Sequence, residues 1–181
     1  MPERCRYWIV VALALCMLLP LAALGVPSRA EQRELDHAES LLRQWLTSLP
    51  PNSGVAIMRE DERVTLRFPT SLVFDPDSTG LHADALNQLP LSAAVRLLKR
   101  RRALSAQVVV YTDNIGGSSA NQSFSAARAK ALCASLAAAG IAAPRLHQRG
   151  AGSGDPISSN GTPEGRSENR RVEISFAGTA G

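Results

Sequence analysis

Aromatic side chains are scarce in this 181-residue chain, at 4%. That scarcity argues against a platform on which bases or sugar rings stack. Cysteine is scarcer still: Cys5, Cys16 and Cys133 make an odd set with no CxxC pair. A disulfide scaffold and a thiolate zinc site are both excluded. A strong excess of one charge sign is also missing. Twenty Lys and Arg against sixteen Asp and Glu leave a formal +4, well short of a dedicated nucleic-acid binder. His37, His82 and His147 are scattered rather than clustered, so each reads as a surface or packing residue and not as a metal ligand. There is no GxSxG elbow and no serine with a recognisable base partner. Gly150-Ala151-Gly152-Ser153-Gly154 is followed by Pro156 and by no helix start, which argues against a phosphate cradle. No catalytic residue, metal or cofactor is expected. What the chain has in quantity is apolar side chains, 45% of the total, enough to fill the core of one ordinary domain.

One long hydrophobic run exists. Residues 9–26, IVVALALCMLLPLAALGV, follow Arg4 and Arg6 and precede Pro27-Ser28-Arg29-Ala30. A basic head, an apolar stretch and small residues fit an export signal cut after Ala30. Eighteen residues also reach the lower edge of a bilayer span, so a retained anchor stays open. Leu13-Ala14-Leu15-Cys16 leaves a lipid-modified Cys16 as a third reading. Each version carries the remainder across the inner membrane. The expected division is residues 1–30 as signal or anchor, 31–51 as helix and linker, and 52–178 as the folded domain.

Leu35, Ala38, Leu42, Trp45, Leu46 and Leu49 recur at helical spacing over residues 31–49. That face can pack on its own domain or pair with a second copy, and it covers too few heptads for a coiled coil. Val64, Leu66 and Phe68 alternate with polar neighbours as in a half-buried strand. Residues 81–101 read as helical, with Pro90 kinking or splitting the helix. Val108-Val109-Val110 fits a strand buried on both faces. A loop over 113–120 leads into a second helix, for which Ala127, Ala131, Ala134 and Ala138 mark a close-packing seam. Residues 150–169 read as a long loop, and Val172, Ile174 and Phe176 alternate in a closing strand. Helical crossovers between strands imply an α/β or α+β fold: a mixed sheet with helices packed on it.

An ordered series of motifs stands out: Thr112-Asp113-Asn114-Ile115-Gly116, then Asn121, Ser125 and Arg128-Ala129, then Gly165-Arg166 and Asn169-Arg170-Arg171-Val172-Glu173-Ile174. With Val73-Phe74-Asp75 upstream, the series resembles the OmpA-like C-terminal domain, a peptidoglycan-binding module. The resemblance runs from about Val64 to Phe176. It implies a periplasmic or envelope protein that holds the diaminopimelate residue of a stem peptide, Asp113 facing its ammonium and Arg128 its carboxylate. Thr112, Asn121, Phe74, Asp75, Asn169 and Arg170 would support them. The residue types suit the task, because a guanidinium fork matches a carboxylate and opposite charges match a zwitterion. By spacing alone, Asp113 and Arg128 could equally be an internal ion pair, and Asn121 only a helix N-cap.

The chain departs from the family pattern in two places. Val110-Tyr111 stands where Gly-His is usual, reshaping the cleft floor or adding a hydroxyl. Ser119-Ala120 thins one rim. The expected partner is peptidoglycan, with envelope proteins, a second copy through helix 31–49, or the membrane as further partners, and no nucleic acid. The rival reading is a membrane-tethered subunit of a secretion or stator machine. Arg96, Lys99, Arg100, Arg101 and Arg102 form a basic cluster. It is either a solvated helix end, where cations suit the dipole, or a contact for anionic headgroups or a wall polymer.

Overall fold

The computed structural model describes residues 28–179. Residues 1–27 of the expected signal or anchor over 1–30, Cys16 among them, lie outside the described residues. The first helix, α1, spans Arg29–Leu46, two residues earlier than its pattern predicted. The signal for that start is local: Ser28 Oγ accepts the Glu31 N–H at 3.2 Å, and the Glu31 carboxylate accepts the Ser28 N–H at 2.7 Å. This reciprocal capping box satisfies two donors that a helix start leaves bare.

Strand β1 is Ala56–Glu60, β2 is Arg63–Pro69, and helix α2 is Leu91–Arg100. Then come β3 (Leu104–Tyr111), α3 (Ser118–Ala138), β4 (Leu146–Gly152), α4 (Pro163–Asn169) and β5 (Arg171–Gly178). The five strands lie in the order β1-β2-β5-β3-β4. Only β3 and β4 run parallel, joined by α3 as a crossover; the other pairs are antiparallel. This is the mixed sheet with packed helices that the sequence predicted.

Period-two alternation puts one face of three strands in register. Leu66, Ile174 and Val108 form one row across the sheet, and Phe68, Val172 and Val110 form the next. All six are fully buried. Leu35, Ala38 and Leu42 of α1 and Leu97 and Leu98 of α2 enter the same core. The apolar face of α1, which could have met another chain, is therefore taken by its own domain.

Three expectations need correction. Residues 81–90 are not helical: a short 3-10 turn covers Ala85–Asn87, and α2 begins only after Pro90. Proline disfavours helix in the residue before it, so it starts a helix here instead of kinking one. The alanine seam of α3 does not pack: Ala127, Ala134 and Ala138 are exposed, and the buried face is Ser125, Arg128, Ala129, Leu132, Cys133 and Leu136. Alanine tolerates either environment, so its spacing does not discriminate. Finally, the 150–169 loop contains α4, whose start carries a signal that was missed. Thr162 caps Gly165 N–H at 3.1 Å and Pro163 occupies the first helical position.

The basic cluster divides. Arg101 pairs with Glu34 at 2.6 Å and ties α2 to α1, while Arg96 lies 4.9 Å from the centre of the Trp45 ring. Arg145, from the turn before β4, donates to the carbonyls of Leu104, Leu98 and Arg101 at 2.7, 2.9 and 2.9 Å. It thereby satisfies carbonyls that the end of α2 leaves open.

Candidate functional site

β3 ends at a cleft of about 900 Å³ between the 70–82 loop, the start of α3 and the start of β5. Thr112 is anchored by its N–H to Gly152 O at 2.8 Å and by its hydroxyl to Asp113 O at 2.9 Å. Asp113 then begins a tight turn in which its Oδ1 accepts Ile115 N–H at 2.9 Å. Gly116 follows with φ of 90°, a conformation that disfavours side chains. Asn121 is not the N-cap of α3, which starts three residues earlier after Gly117. Its amide instead donates to Ile115 O at 3.0 Å and Asp113 O at 3.3 Å, holding the turn against the helix.

Arg128 is only 6% exposed. Its guanidinium lies between the rings of Phe74 and Phe124, 4.8 and 4.2 Å from their centres. Phe124 precedes it by four residues, which places both on one helix face. Nε donates to Ser78 O at 2.7 Å and Nη2 to Asp75 O at 3.0 Å, so the side chain also pins the opposite wall. Among the described residues it pairs with no carboxylate, and Nη1 has no hydrogen-bond partner. Yet Nη1 is not among the sealed polar atoms. Burial holds the Arg128 pKa below its ordinary value, an effect that the Asp77 charge partly offsets.

The internal pair that spacing allowed between Asp113 and Arg128 is not formed. Asp113 Oδ2 pairs with Arg170 at 2.6 Å. Both Asp113 and Arg128 line the cleft, along with Thr112, Asn121, Phe74, Asp75 and Arg170. Asn169 does not. It is buried, accepts the N–H groups of Ile157 and Ser158 at 2.8 and 3.0 Å, and donates to Ser158 O and Asn160 Oδ1. Its amide staples the loop before α4, one step away from the cleft that Arg170 enters.

Tyr111 borders the cleft at the end of β3, and its hydroxyl donates to Glu173 Oε2 at 3.2 Å. Arg171 packs 3.5 Å from that ring's centre and shares Glu173 Oε1 with Arg67, each at 2.9 Å. Burial works against the Glu173 carboxylate, but the Arg171 and Arg67 contacts outweigh it and keep its pKa below the ordinary range. The Tyr111 hydroxyl is thus taken by Glu173 and its ring by Arg171, so the residue does not offer the cleft a free donor.

Sequence reasoning missed Phe124, Ile115 and His82 as lining residues. His82 is not a bystander: Nδ1 is 2.7 Å from Asp75 Oδ1 and Nε2 is 3.2 Å from Ser71 O. The Ser71 carbonyl, and then Asp75, raise its pKa above the ordinary value. A raised folded pKa means the pair stabilises the loop fully below about pH 6.5, the value of an unfolded histidine. That contribution fades as pH rises through the folded pKa. An NMR titration should place His82 above 6.5, and Asp75→Asn should move it back down; an unshifted His82 would refute the pairing.

The geometry stands beside clear relatives. A family model described as the OmpA family matches residues 73–170. The probable lipoprotein YiaD of Escherichia coli (strain K12) is 34% identical over 143 residues, which is 79% of this chain and 63% of that protein. The peptidoglycan-binding protein ArfA of Mycobacterium tuberculosis is 52% identical over 64 residues, 35% of this chain and 20% of that one. The chain therefore spans less than two thirds of either relative. A crystal structure of a putative MotB-like protein from Desulfovibrio vulgaris superposes with a TM-score of 0.72 at 25% identity, covering 84% of this chain and 98% of that one. Among the described residues, no helix is long and apolar enough to cross a membrane, and no group of three or more His, Cys, Asp or Glu could hold a metal ion.

Proposed function

The chain belongs to the OmpA family, and on that footing we propose that its cleft binds peptidoglycan non-covalently, as a non-catalytic wall anchor of the cell envelope. The ligand group is the diaminopimelate residue of a stem peptide, bound as a zwitterion. One observation carries this reading: Arg128 is a buried cation without a carboxylate partner among the described residues, on the wall of a cleft that also holds Asp113. Desolvating a guanidinium against two carbonyls, with only the Asp77 charge acting from a distance, leaves it without a paired carboxylate. An incoming carboxylate restores the balance. Phe74 and Phe124 clamp the guanidinium plane, so its direction is set before the ligand arrives.

Asp113 meets the ligand's ammonium. A carboxylate has about four acceptor positions; Ile115 N–H and Arg170 take two. Arg170, whose side chain is 45% exposed, then serves as the holder of Asp113 and as a movable rim. Each charged hydrogen bond of this kind is worth about 1.5–3 kcal/mol.

The test is sedimentation of the full chain, in mild detergent, with purified sacculi. Diaminopimelate-type sacculi should pellet it, free meso-diaminopimelate should release it, and lysine-type sacculi should leave it in solution. Equal pelleting with both wall types would remove diaminopimelate as the recognised group. No pelleting with either would turn the cleft toward another ligand.

A further inference from the structure

The end of the domain opposite the cleft gathers cations that wall binding does not use. β3 runs from Leu104 at this end to Tyr111 at the cleft, seven steps and roughly 23 Å. Here α2 runs out into Lys99-Arg100-Arg101-Arg102, and α3 finishes alongside, where a Cβ placed on Gly140 would lie 3.9 Å from Lys99 Cε. Arg101 is occupied by Glu34, and Arg145 by three carbonyls. Lys99, Arg100 and Arg102 are exposed and make no ion pair among the described residues. Arg29 and Arg33, exposed on the first two turns of α1, make none either.

Lys99, Arg102 and Arg145 border a hollow of about 530 Å³ that contains no carboxylate. Burial, together with the Arg102 charge, pushes the Arg145 pKa below its ordinary value, as expected where cations crowd. The acidic neighbours do not cancel the patch. Glu31 is held by Ser28. Glu60, Asp61 and Glu62 share this end of the sheet but sit on the β1–β2 turn, two to three strands or roughly 10–14 Å to the side, and Glu60 pairs with Arg63.

The same end receives the chain from its N-terminal part. Glu34 on Arg101, and Glu31 beside Gly178, fix the start of α1 there. The apolar run 9–26 stops two residues before Ser28. We propose that this end docks on the headgroups of an anionic phospholipid bilayer, with Lys99, Arg100 and Arg102 as the main contacts and Arg29 and Arg33 beside them. A lipid surface fits better than a wall polymer because basic clusters next to an apolar segment meet headgroup phosphates without any further ordering of the chain. Docking in this sense turns the cleft outward, toward whatever lies beyond the membrane surface. The inference does not depend on what the cleft binds.

Hydrogen exchange on the full chain tests it. The chain is mixed with vesicles of phosphatidylcholine alone, or of phosphatidylcholine with phosphatidylglycerol. Residues 28–34, 98–103 and 139–145 should be protected in the anionic vesicles beyond any protection in the neutral ones, and about 0.5 M salt should abolish the difference. Lys99→Glu with Arg100→Glu and Arg102→Glu should lower affinity for anionic vesicles by roughly tenfold or more, with exchange around residues 112–128 reporting that the fold is kept. Equal protection in both vesicle types would overturn the proposal, as would none in either. Protection by sacculi in place of anionic lipid would overturn it in favour of a wall polymer. Sedimentation with sacculi is read separately, so failure here leaves the wall-binding result standing.

Discussion

Arg128→Met should leave the full chain in the supernatant of a sacculus sedimentation assay that pellets the wild type. The guanidinium is the one buried cation on the cleft wall without a carboxylate partner among the described residues. Losing its charged hydrogen bonds to a ligand carboxylate, worth about 1.5–3 kcal/mol each, weakens binding by about 10- to 150-fold per bond. Methionine is chosen because it keeps contact with the Phe74 and Phe124 rings, where a thioether is well tolerated. The freed carbonyls of Asp75 and Ser78 belong to a loop in which Asp75 itself is exposed, so water can take over the lost donors. A thermal melt should therefore move by only a few degrees. A Met variant that pellets like wild type would show that the anion meets some other group, with Arg170 the next to examine.

The largest effect on stability should come from a single methyl group. Gly150→Ala is expected to destabilise the domain by about 3 kcal/mol, lowering the melting temperature by about 10 °C. A Cβ at Gly150 would lie 2.3 Å from Ala126 N, 2.6 Å from Ala126 Cα and 2.6 Å from Ser125 Oγ. Two of these are helix backbone, which cannot step aside as a side chain can. The contact is held from both directions: Gln122 Nε2 donates to Gly150 O at 2.8 Å, and Ser125 Oγ accepts Gly152 N–H at 2.9 Å. Relief would need α3 to lift from β4. Since α3 carries Asn121, Phe124 and Arg128, the same variant should also lose wall binding, in proportion to the lift. A melting temperature within a degree of wild type would mean that helix and strand are less tightly seated than these distances imply.

Much of this architecture was legible in the residues, for identifiable reasons. Strands β2 and β5 were legible because Val64, Leu66 and Phe68, and again Val172, Ile174 and Phe176, alternate with polar residues facing the other side, whereas β4 carries no such alternation and its Gly150–Gly152 end reads as loop. The cleft charges Asp113 and Arg128 were legible only through the order of the motifs, since spacing alone equally allowed a bond between the two. What pairs with Asp113 was hidden, because Arg170 lies 57 positions away and only the sheet order brings β5 beside β3. The His82–Asp75 contact was hidden for a different, local reason: a turn fixed by the Phe74–Leu81 bridge and the His82 N–H to Val73 O bond brings the two together. The helical reading of 81–90 failed on apolar spacing that a proline interrupts. The alanines of α3 failed because a small side chain suits either face of a helix.

The direction of β3 has a mechanical meaning. A ligand in the cleft would pull at the Tyr111 end, and an anchor retained ahead of Ser28 would pull from the opposite end, where α1 starts. Tension between them would run along β3, from Leu104 to Tyr111. Hydrogen bonds between β3 and its neighbours β5 and β4 lie across that line, so the load reaches them in shear and is shared over the whole ladder. A pull across the strands would instead open the pairs one at a time. The capping box at Ser28 sits where such a load would enter, and Leu35, Ala38 and Leu42 hold α1 to the core behind it. On the two proposals above, the domain would carry force lengthwise along β3, between a bilayer surface at one end and a wall polymer at the other.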